Sequence, residues 1–207
     1  MEFLRKYLGG IFIILYSVGI LGFRIPALQS LFLTLIPGFL LLTAILLLAS
    51  HASWNLRFGF WAIMTFTFGW TIEWIGVHTG QIFGNYAYGA TLGWKVDGIP
   101  LVIGINWLIL AYCCKDIAER IFKHPVVSIL MASALMTGLD FLIEPVAMRY
   151  DYWQWENNQV PLHNYVGWFL VSVVLFSLSH LFRLKWENRA SVILYLCMLG
   201  FFVSLNF

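Results

Sequence analysis

The chain has 207 residues, of which 61% are hydrophobic and 11% are charged, and its formal net charge is +2. Soluble domains are about 45–50% apolar and about 25% charged, so this composition excludes an ordinary soluble domain and indicates an integral membrane protein. The small net charge gives no indication of a nucleic-acid partner. The three cysteines, Cys113, Cys114 and Cys197, lie in apolar runs without metal-type spacing, and we interpret them as buried thiols.

The N-terminal segment begins with Arg5 and Lys6 and continues as an apolar run, a pattern that it shares with signal peptides. No small-residue cleavage motif follows, and further apolar stretches do, so we interpret it as a first transmembrane helix. A helical span needs about 20 predominantly apolar residues. Seven segments meet this requirement, in chain order: 7–23, 31–50, 58–78, 99–118, 125–148, 163–182 and 190–207.

These segments predict an all-α, polytopic membrane bundle of about seven transmembrane helices. No linker or low-complexity segment divides the chain, so residues 1–207 are expected to form a single membrane domain. The basic residues predict its orientation, because cytoplasmic loops carry an excess of Lys and Arg. Three basic residues fall on the side opposite the N terminus: Arg24, Lys95 and Arg149. The other nine fall on the side of the N terminus: Arg5, Lys6, Arg57, Lys115, Arg120, Lys123, Arg183, Lys185 and Arg189. We therefore expect a multi-pass protein of the cell inner membrane with a cytoplasmic N terminus.

Two segments form a weak internal repeat. Residues 99–107 read IPLVIGINW and residues 160–168 read VPLHNYVGW, so each has a tryptophan seven positions after its proline. Each segment follows an aromatic loop, and each loop follows a span that carries carboxylates. The helix hairpin formed by the third and fourth spans is thus predicted to resemble the hairpin formed by the fifth and sixth. Repeats in membrane proteins often place a site at their interface.

Three carboxylates lie in the outer parts of apolar spans: Glu73 in the third, and Asp140 and Glu144 in the fifth. At a rise of about 1.5 Å per residue, Glu73 and Asp140 lie at similar heights, and Glu144 lies one turn further out. A carboxylate among lipid tails costs roughly 2.5–3.5 kcal/mol or more. We therefore predict that all three line a shared cavity near the outer interface, where they are candidates for acid–base catalysis.

Further polar and aromatic side chains fall in the same outer layer. A protonated carboxyl with aromatic faces around it suits the protonation of an alkene, because the faces stabilise the resulting cation. The predicted substrate-binding residues are His78, Tyr86, Tyr88, Asn106, Trp107, Trp153, Trp155, His163, Asn164, Trp168, Trp70 and Trp74.

Metal and cofactor signatures are weak in this sequence. The five histidines are not paired at HxxH or HxxxH spacing, and only His78 and His163 are expected in the outer layer. These two with the carboxylates leave a zinc-dependent intramembrane lipid hydrolase open as an alternative. No nucleotide-binding or nucleophile-elbow motif is present, so we predict neither a metal nor a cofactor.

Several sequence blocks resemble the carotenoid biosynthesis membrane protein family, which includes CruF-type carotenoid 1,2-hydratases and bisanhydrobacterioruberin hydratase. The resemblance covers about residues 60–182. Its blocks are EWIGVHTGQIFGNYAY from Glu73, GIPL from Gly98, NW at Asn106, DFLIEPVAMRYDYWQW from Asp140 and VPLHNYVGWF from Val160. The chain departs from the family pattern in having Glu144-Pro145 where Asp-Pro is usual, which favours Asp140 over Glu144 as the proton donor.

The resemblance implies a cofactor-independent hydratase that adds water across the terminal C1–C2 double bond of an acyclic carotenoid end, of the lycopene or γ-carotene type. It implies Asp140, Glu73 and Glu144 as catalytic residues. It also implies a carotenoid substrate, contact with membrane lipids and association with other carotenoid enzymes. The residues leave three further classes open: a non-catalytic carotenoid- or lipid-binding protein, the zinc-dependent hydrolase, and a transporter.

Overall fold

A computed structural model of the protein describes residues 2–184 and 186–207, with side chains from Lys6 onward. Its seven helices confirm the predicted all-α polytopic bundle, and each predicted segment overlaps one of them. They are α1 (Glu2–Arg24), α2 (Pro26–Ala49), α3 (Leu56–Thr79), α4 (Leu101–Ile121), α5 (Pro125–Arg149), α6 (Leu162–Leu181) and α7 (Arg189–Asn206). Lys185, which the orientation prediction uses, lies outside the described residues.

Local sequence explains where several helices begin and end. Pro26 and Pro125 occupy first-turn positions of α2 and α5, where a missing N–H costs nothing. The Asn55 side chain caps α3 by accepting from the backbone N–H of Phe58 at 3.0 Å. Gly80 ends α3 with a φ of 65°, a left-handed conformation that glycine adopts without strain. α2 begins five residues before its predicted segment because Pro26 starts the helix there.

Among the described residues, six helices are long and apolar enough to cross a membrane, and α3 is the remaining helix. It has 24 residues, but Glu73 and His78 lower its hydropathy. Contacts at its two ends indicate that it crosses as well. At one end Phe58 stacks on His51, which follows α2, with ring centroids 3.7 Å apart. At the other end Asn85 donates a hydrogen bond to Glu156, in the loop after α5, at 2.8 Å.

α4 is the central helix of the bundle and packs against α2, α3, α5 and α7. All of its residues from 107 to 116 are buried, as expected for a helix that is surrounded by other helices. α2, by contrast, exposes apolar side chains such as Leu31, Leu41 and Ile45. In a membrane these side chains face lipid.

The two aromatic loops meet at the same end of the bundle. β1 (Tyr86–Tyr88) pairs antiparallel with β4 (Trp153–Trp155), and Ala87 lies opposite Gln154. A small hairpin of β2 (Lys95–Val96) and β3 (Ile99–Pro100) precedes α4, and a short 3₁₀ turn (Glu156–Asn158) follows β4. The β1–β4 pair therefore joins the two hairpins that the sequence repeat relates.

At the opposite end, Asp116 on α4 holds the start of α7. Its side chain is 1% exposed. It accepts two hydrogen bonds from Arg120, at 3.0 and 3.1 Å, one from the backbone N–H of Asn188 at 3.1 Å, and one from the Ser191 hydroxyl. Two of these hydrogen bonds come from Arg120 on α4 itself, and the other two, from Asn188 and Ser191, fix the start of α7 against α4.

Removing this carboxylate should strongly destabilise the protein. We expect Asp116→Ala to lower the free energy of unfolding by about 3–5 kcal/mol, because it leaves Arg120 and the α7 donors without their acceptor. Lys123→Ala, which removes a nearby exposed charge, is the control and should have little effect. Thermal unfolding in detergent measures both, and equal midpoints for the two variants would contradict this role of Asp116.

Candidate active site

Glu73, Asp140 and Glu144 meet at the end of the bundle where β1 and β4 pair. Their side chains are 3%, 1% and 1% exposed and line one cavity of about 20 Å³. A polar cavity of this size holds about one water molecule, since a water needs roughly 10–15 Å³. The carboxylates face one another and a water-sized space instead of lipid.

Glu73, on α3, is held by three hydrogen-bond donors. The hydroxyls of Tyr86 and Tyr88 donate to its Oε2 at 2.5 and 2.8 Å, and Trp107 Nε1 donates to its Oε1 at 3.0 Å. Burial raises the pKa of both tyrosine hydroxyls well above the usual value, and the charge of Glu73 raises the pKa of each further. Both tyrosines therefore keep their protons and act as donors.

Glu144, on α5, has a matching set of three donors. Trp153 Nε1 and Trp155 Nε1 donate to its Oε2 at 2.8 and 2.7 Å. The side-chain amide of Asn164, on α6, donates to its Oε1 at 2.9 Å. Each glutamate thus accepts two bonds from the aromatic strand of its own hairpin and one from the following helix. This arrangement favours the charged, acceptor-only form of a carboxylate.

Asp140 is hydrogen-bonded differently. The Asn164 amide donates to its Oδ2 at 3.1 Å, so this one amide bridges Asp140 and Glu144. Within residues 6–184 and 186–207, Oδ1 of Asp140 has no hydrogen-bond donor. Asp140 lies four residues before Glu144, and the corresponding position before Glu73 is Gly69. Of the two repeated hairpins, only the second, formed by α5 and α6, therefore has this third carboxyl.

Two tryptophans form one wall of the cavity. Trp107 and Trp168, each seven residues after a proline, stack with ring centroids 4.4 Å apart and an interplanar angle of 13°. Gly69 allows Trp107 to approach α3, because a Cβ at Gly69 would lie 2.3 Å from the Trp107 Cβ. The glycine therefore fixes the distance at which Trp107 reaches Glu73.

Adding one methyl group at Gly69 should disturb the site. We expect Gly69→Ala to destabilise the protein by roughly 1–3 kcal/mol and to weaken the Trp107–Glu73 hydrogen bond, because the core must shift to admit the Cβ. Gly59→Ala on the same helix is a matched control, since nothing lies within 4 Å of its added Cβ. That variant should be neutral or more stable by about 0.5–1 kcal/mol. Unfolding midpoints compare the two, and a harmless Gly69→Ala would contradict this packing role.

The structure brings together eleven of the fifteen residues that the sequence singled out. They are Glu73, Tyr86, Tyr88, Asn106, Trp107, Asp140, Glu144, Trp153, Trp155, Asn164 and Trp168. The other four lie outside this cavity. Trp74 donates to the exposed Asp97 at 2.6 Å, and His78 Nε2 lies 3.4 Å from the same carboxylate. His163 is exposed, and Trp70 is half-buried elsewhere on α3. These four share the height of the cavity but not its helix faces, since neighbouring residues in a helix point about 100° apart.

Three apolar residues of the cavity were missed: Phe83, Ile103 and Ile143. Ile143 lies three residues after Asp140, a spacing that places both on one helix face, so the sequence did contain a signal for it. Ile103 and Asn164 occupy equivalent positions in the internal repeat, because each lies three residues after a proline. A comparison of the two repeated segments therefore identifies Ile103. Phe83 packs beside Gly76, where an added Cβ would lie 2.7 Å from its ring.

Within the described part of the chain, no three His, Cys, Asp or Glu side chains are grouped as ligands of a metal ion. His78 and His163, the histidines of the zinc alternative, lie outside the cavity, as described above. The polar groups that contact the carboxylates are N–H and O–H donors.

Comparison with known proteins places the chain in a family. The sequence profile of a family described as "Carotenoid biosynthesis protein" matches residues 31–206, most of the chain. The chain belongs to this carotenoid biosynthesis family. Among curated proteins, it is similar to bisanhydrobacterioruberin hydratase of Haloarcula japonica, with 30% identity over 131 residues. That match covers 56% of this chain and 42% of the relative, so the chain spans less than half the length of the protein it matches. No solved structure matches.

The family match includes all of the carboxylates and their donors, because Glu73 to Trp168 lie within the matched residues. A carotenoid biosynthesis family implies an isoprenoid lipid as the substrate, and such a lipid resides in the membrane. The carboxylate cavity is therefore the candidate active site of a carotenoid-modifying enzyme.

Proposed function

We propose that this protein is a carotenoid hydratase, which adds water across the terminal C1–C2 double bond of an acyclic carotenoid end of the lycopene or γ-carotene type. The observation that carries the proposal is the difference among the three carboxylates. Among the described residues, Glu73 and Glu144 each accept three hydrogen bonds, whereas Asp140 accepts one, at Oδ2, and none at Oδ1. Asp140 is therefore the carboxyl that carries a transferable proton.

Protonation is the first step of the proposed reaction. The O–H bond of Asp140 breaks as its proton bonds to C2, and the electron pair of the double bond forms the new C–H bond. The positive charge is left on C1, which is a tertiary carbon. Markovnikov addition thus needs only an acid at the correct position, and the protonated Asp140 supplies it.

Stabilisation of the cation is the second requirement. The Trp107–Trp168 pair supplies aromatic faces, which attract a cation. Glu73 and Glu144 supply two negative charges fixed by their donors before the reaction begins. Charges fixed in advance in a site that excludes bulk water stabilise a transition state without reorganisation.

Capture by water completes the reaction. A water in the carboxylate cavity attacks C1, and its second proton passes to the Asp140 carboxylate, which restores the acid. The side chain of Asn106 also lines the cavity and forms no side-chain hydrogen bond within the described residues, so its amide is available to orient this water. The product is a tertiary alcohol, and the balance of atoms needs only substrate and water.

Pigment analysis tests the proposal. The chain is expressed in a bacterial host that accumulates lycopene or γ-carotene, and pigments are separated by chromatography and identified by mass spectrometry. The expected result is a new pigment that is heavier by one molecule of water. With the protein verified in the membrane, unchanged pigments for both substrates would contradict the proposal and favour the non-catalytic carotenoid-binding alternative.

A further inference from the structure

A second, larger cavity of about 300 Å³ lies beside the carboxylate cavity. We name it the lateral cavity and define it by its two main walls, residues 15–23 of α1 and residues 32–40 of α2. α4, α5 and α7 close its remaining sides. Its volume falls in the range of roughly 300–1,000 Å³ that is typical of ligand pockets. Apart from Tyr16, Asn106, Tyr152 and Trp153, the described residues that line it have no polar side-chain N or O atoms.

The lateral cavity adjoins the candidate active site. Four residues line both cavities: Ile103, Asn106, Ile143 and Trp153. Trp153 also donates its N–H to Glu144 at 2.8 Å. One end of the lateral cavity therefore lies beside the carboxylate cavity.

The shape of the lateral cavity suits an extended chain. Its walls on α1 and α2 each extend over nine residues, and the eight steps between the first and the last rise about 12 Å along a helix axis. On α4, the lining residues Ile103, Asn106 and Leu110 follow helical spacing along one face. The cavity thus runs along the helices, from the carboxylates toward the middle of the bundle.

The lateral cavity opens sideways between α1 and α2. Two of its lining residues, Val18 on α1 and Leu35 on α2, are 49% and 51% exposed. Pro37, two residues further along α2, has no backbone N–H to donate, so one helical hydrogen bond is absent from this wall. In a membrane, this opening faces the hydrocarbon interior, where an apolar chain is already dissolved.

We propose that the lateral cavity binds the hydrocarbon chain of a linear isoprenoid substrate, which enters from the bilayer between α1 and α2 and places its end at the carboxylates. The identity of the substrate rests on the proposed function, whereas the location of its chain rests on the cavity itself. α1, α2 and α7, which contribute no residue to the carboxylate cavity, thereby take part in substrate binding.

Retention of pigment tests this inference separately from catalysis. Protein carrying Asp140→Asn, which keeps the substrate unreacted, is purified from lycopene-producing cells, and bound lycopene per protein is measured by absorbance and mass spectrometry. Adding Ile36→Trp fills the lateral cavity, since Ile36 is 9% exposed and lines it. Adding Ile45→Trp is the matched control, because Ile45 lies on the same helix, is 55% exposed and lies outside the cavity.

The expected result is a loss of about tenfold or more in bound lycopene for Ile36→Trp and no change for Ile45→Trp. If Ile36→Trp does not fold, Leu40→Trp on the same wall replaces it. Equal lycopene retention by the folded filled variant and the control would overturn the inference. Phospholipid in place of lycopene in the unfilled protein would also overturn it. Loss of retention on filling, with no hydrated pigment from the wild-type protein, would leave the inference intact and contradict only the proposed hydration.

Discussion

Asp140→Asn is expected to reduce formation of the hydrated carotenoid by about 10³-fold, because general acids contribute roughly 10²–10⁴-fold to rate and an amide cannot replace this one. Asparagine retains the size of the side chain, and its oxygen can still accept the Asn164 hydrogen bond. The variant should therefore insert and fold while losing the transferable proton. Product is measured by chromatography and mass spectrometry of pigments, normalised to the amount of protein in the membrane.

Asp97→Asn provides the matched control for this substitution. Asp97 lies in the loop between α3 and α4, its side chain is 61% exposed, and it contacts Trp74 and His78 outside the cavity. We expect this variant to keep full activity. Full activity of Asp140→Asn in correctly inserted protein would remove Asp140 from the proposed mechanism.

Glu144→Gln is the second substitution with a large expected effect. All three hydrogen bonds to Glu144 come from N–H donors, on Trp153, Trp155 and Asn164. Either orientation of a glutamine amide places its NH₂ against at least one of these donors. We expect a loss of roughly 1–3 kcal/mol in unfolding free energy from the unpaired groups. We also expect about 10²-fold less product, because a fixed charge near the cation is removed.

Glu144→Asp separates the effect of the carboxylate charge from the effect of side-chain size at this position. Aspartate keeps the acceptor-only carboxylate, although its reach is one methylene shorter. Its activity should therefore exceed that of Glu144→Gln. Equal losses for Glu144→Asp and Glu144→Gln would show that the position acts through packing alone.

The sequence was sufficient for the helices and for the height of the site. Apolar length located all seven helices, and the rise per residue placed Glu73, Asp140 and Glu144 in one layer. The cost of a carboxylate in lipid then required them to share an enclosed space. The proline–tryptophan spacing of the repeat located Trp107 and Trp168, which the structure finds stacked.

The faces of the helices and the short strands were harder to predict. Trp74 and His78 lie within a few residues of Glu73 but point toward Asp97 in the loop. When a helix is apolar on all sides, the distribution of its residues does not distinguish the face that is buried in the protein from the face that contacts lipid. The sequence did not predict the lateral cavity for the same reason. An apolar residue such as Ile36 suits a lipid-facing surface and a cavity wall equally well, so its type does not distinguish the two. β1 and β4 contain three residues each, too few for a strand pattern.

The origin of the added oxygen tests the central claim most directly. Membranes containing the protein are incubated with lycopene in water enriched in a heavy oxygen isotope, and the pigment product is analysed by mass spectrometry. The account predicts one heavy oxygen per reacted end in the wild-type product and no such product with Asp140→Asn. A product whose oxygen comes from dioxygen, or a labelled product at the wild-type level from Asp140→Asn, would contradict acid-catalysed hydration at this site.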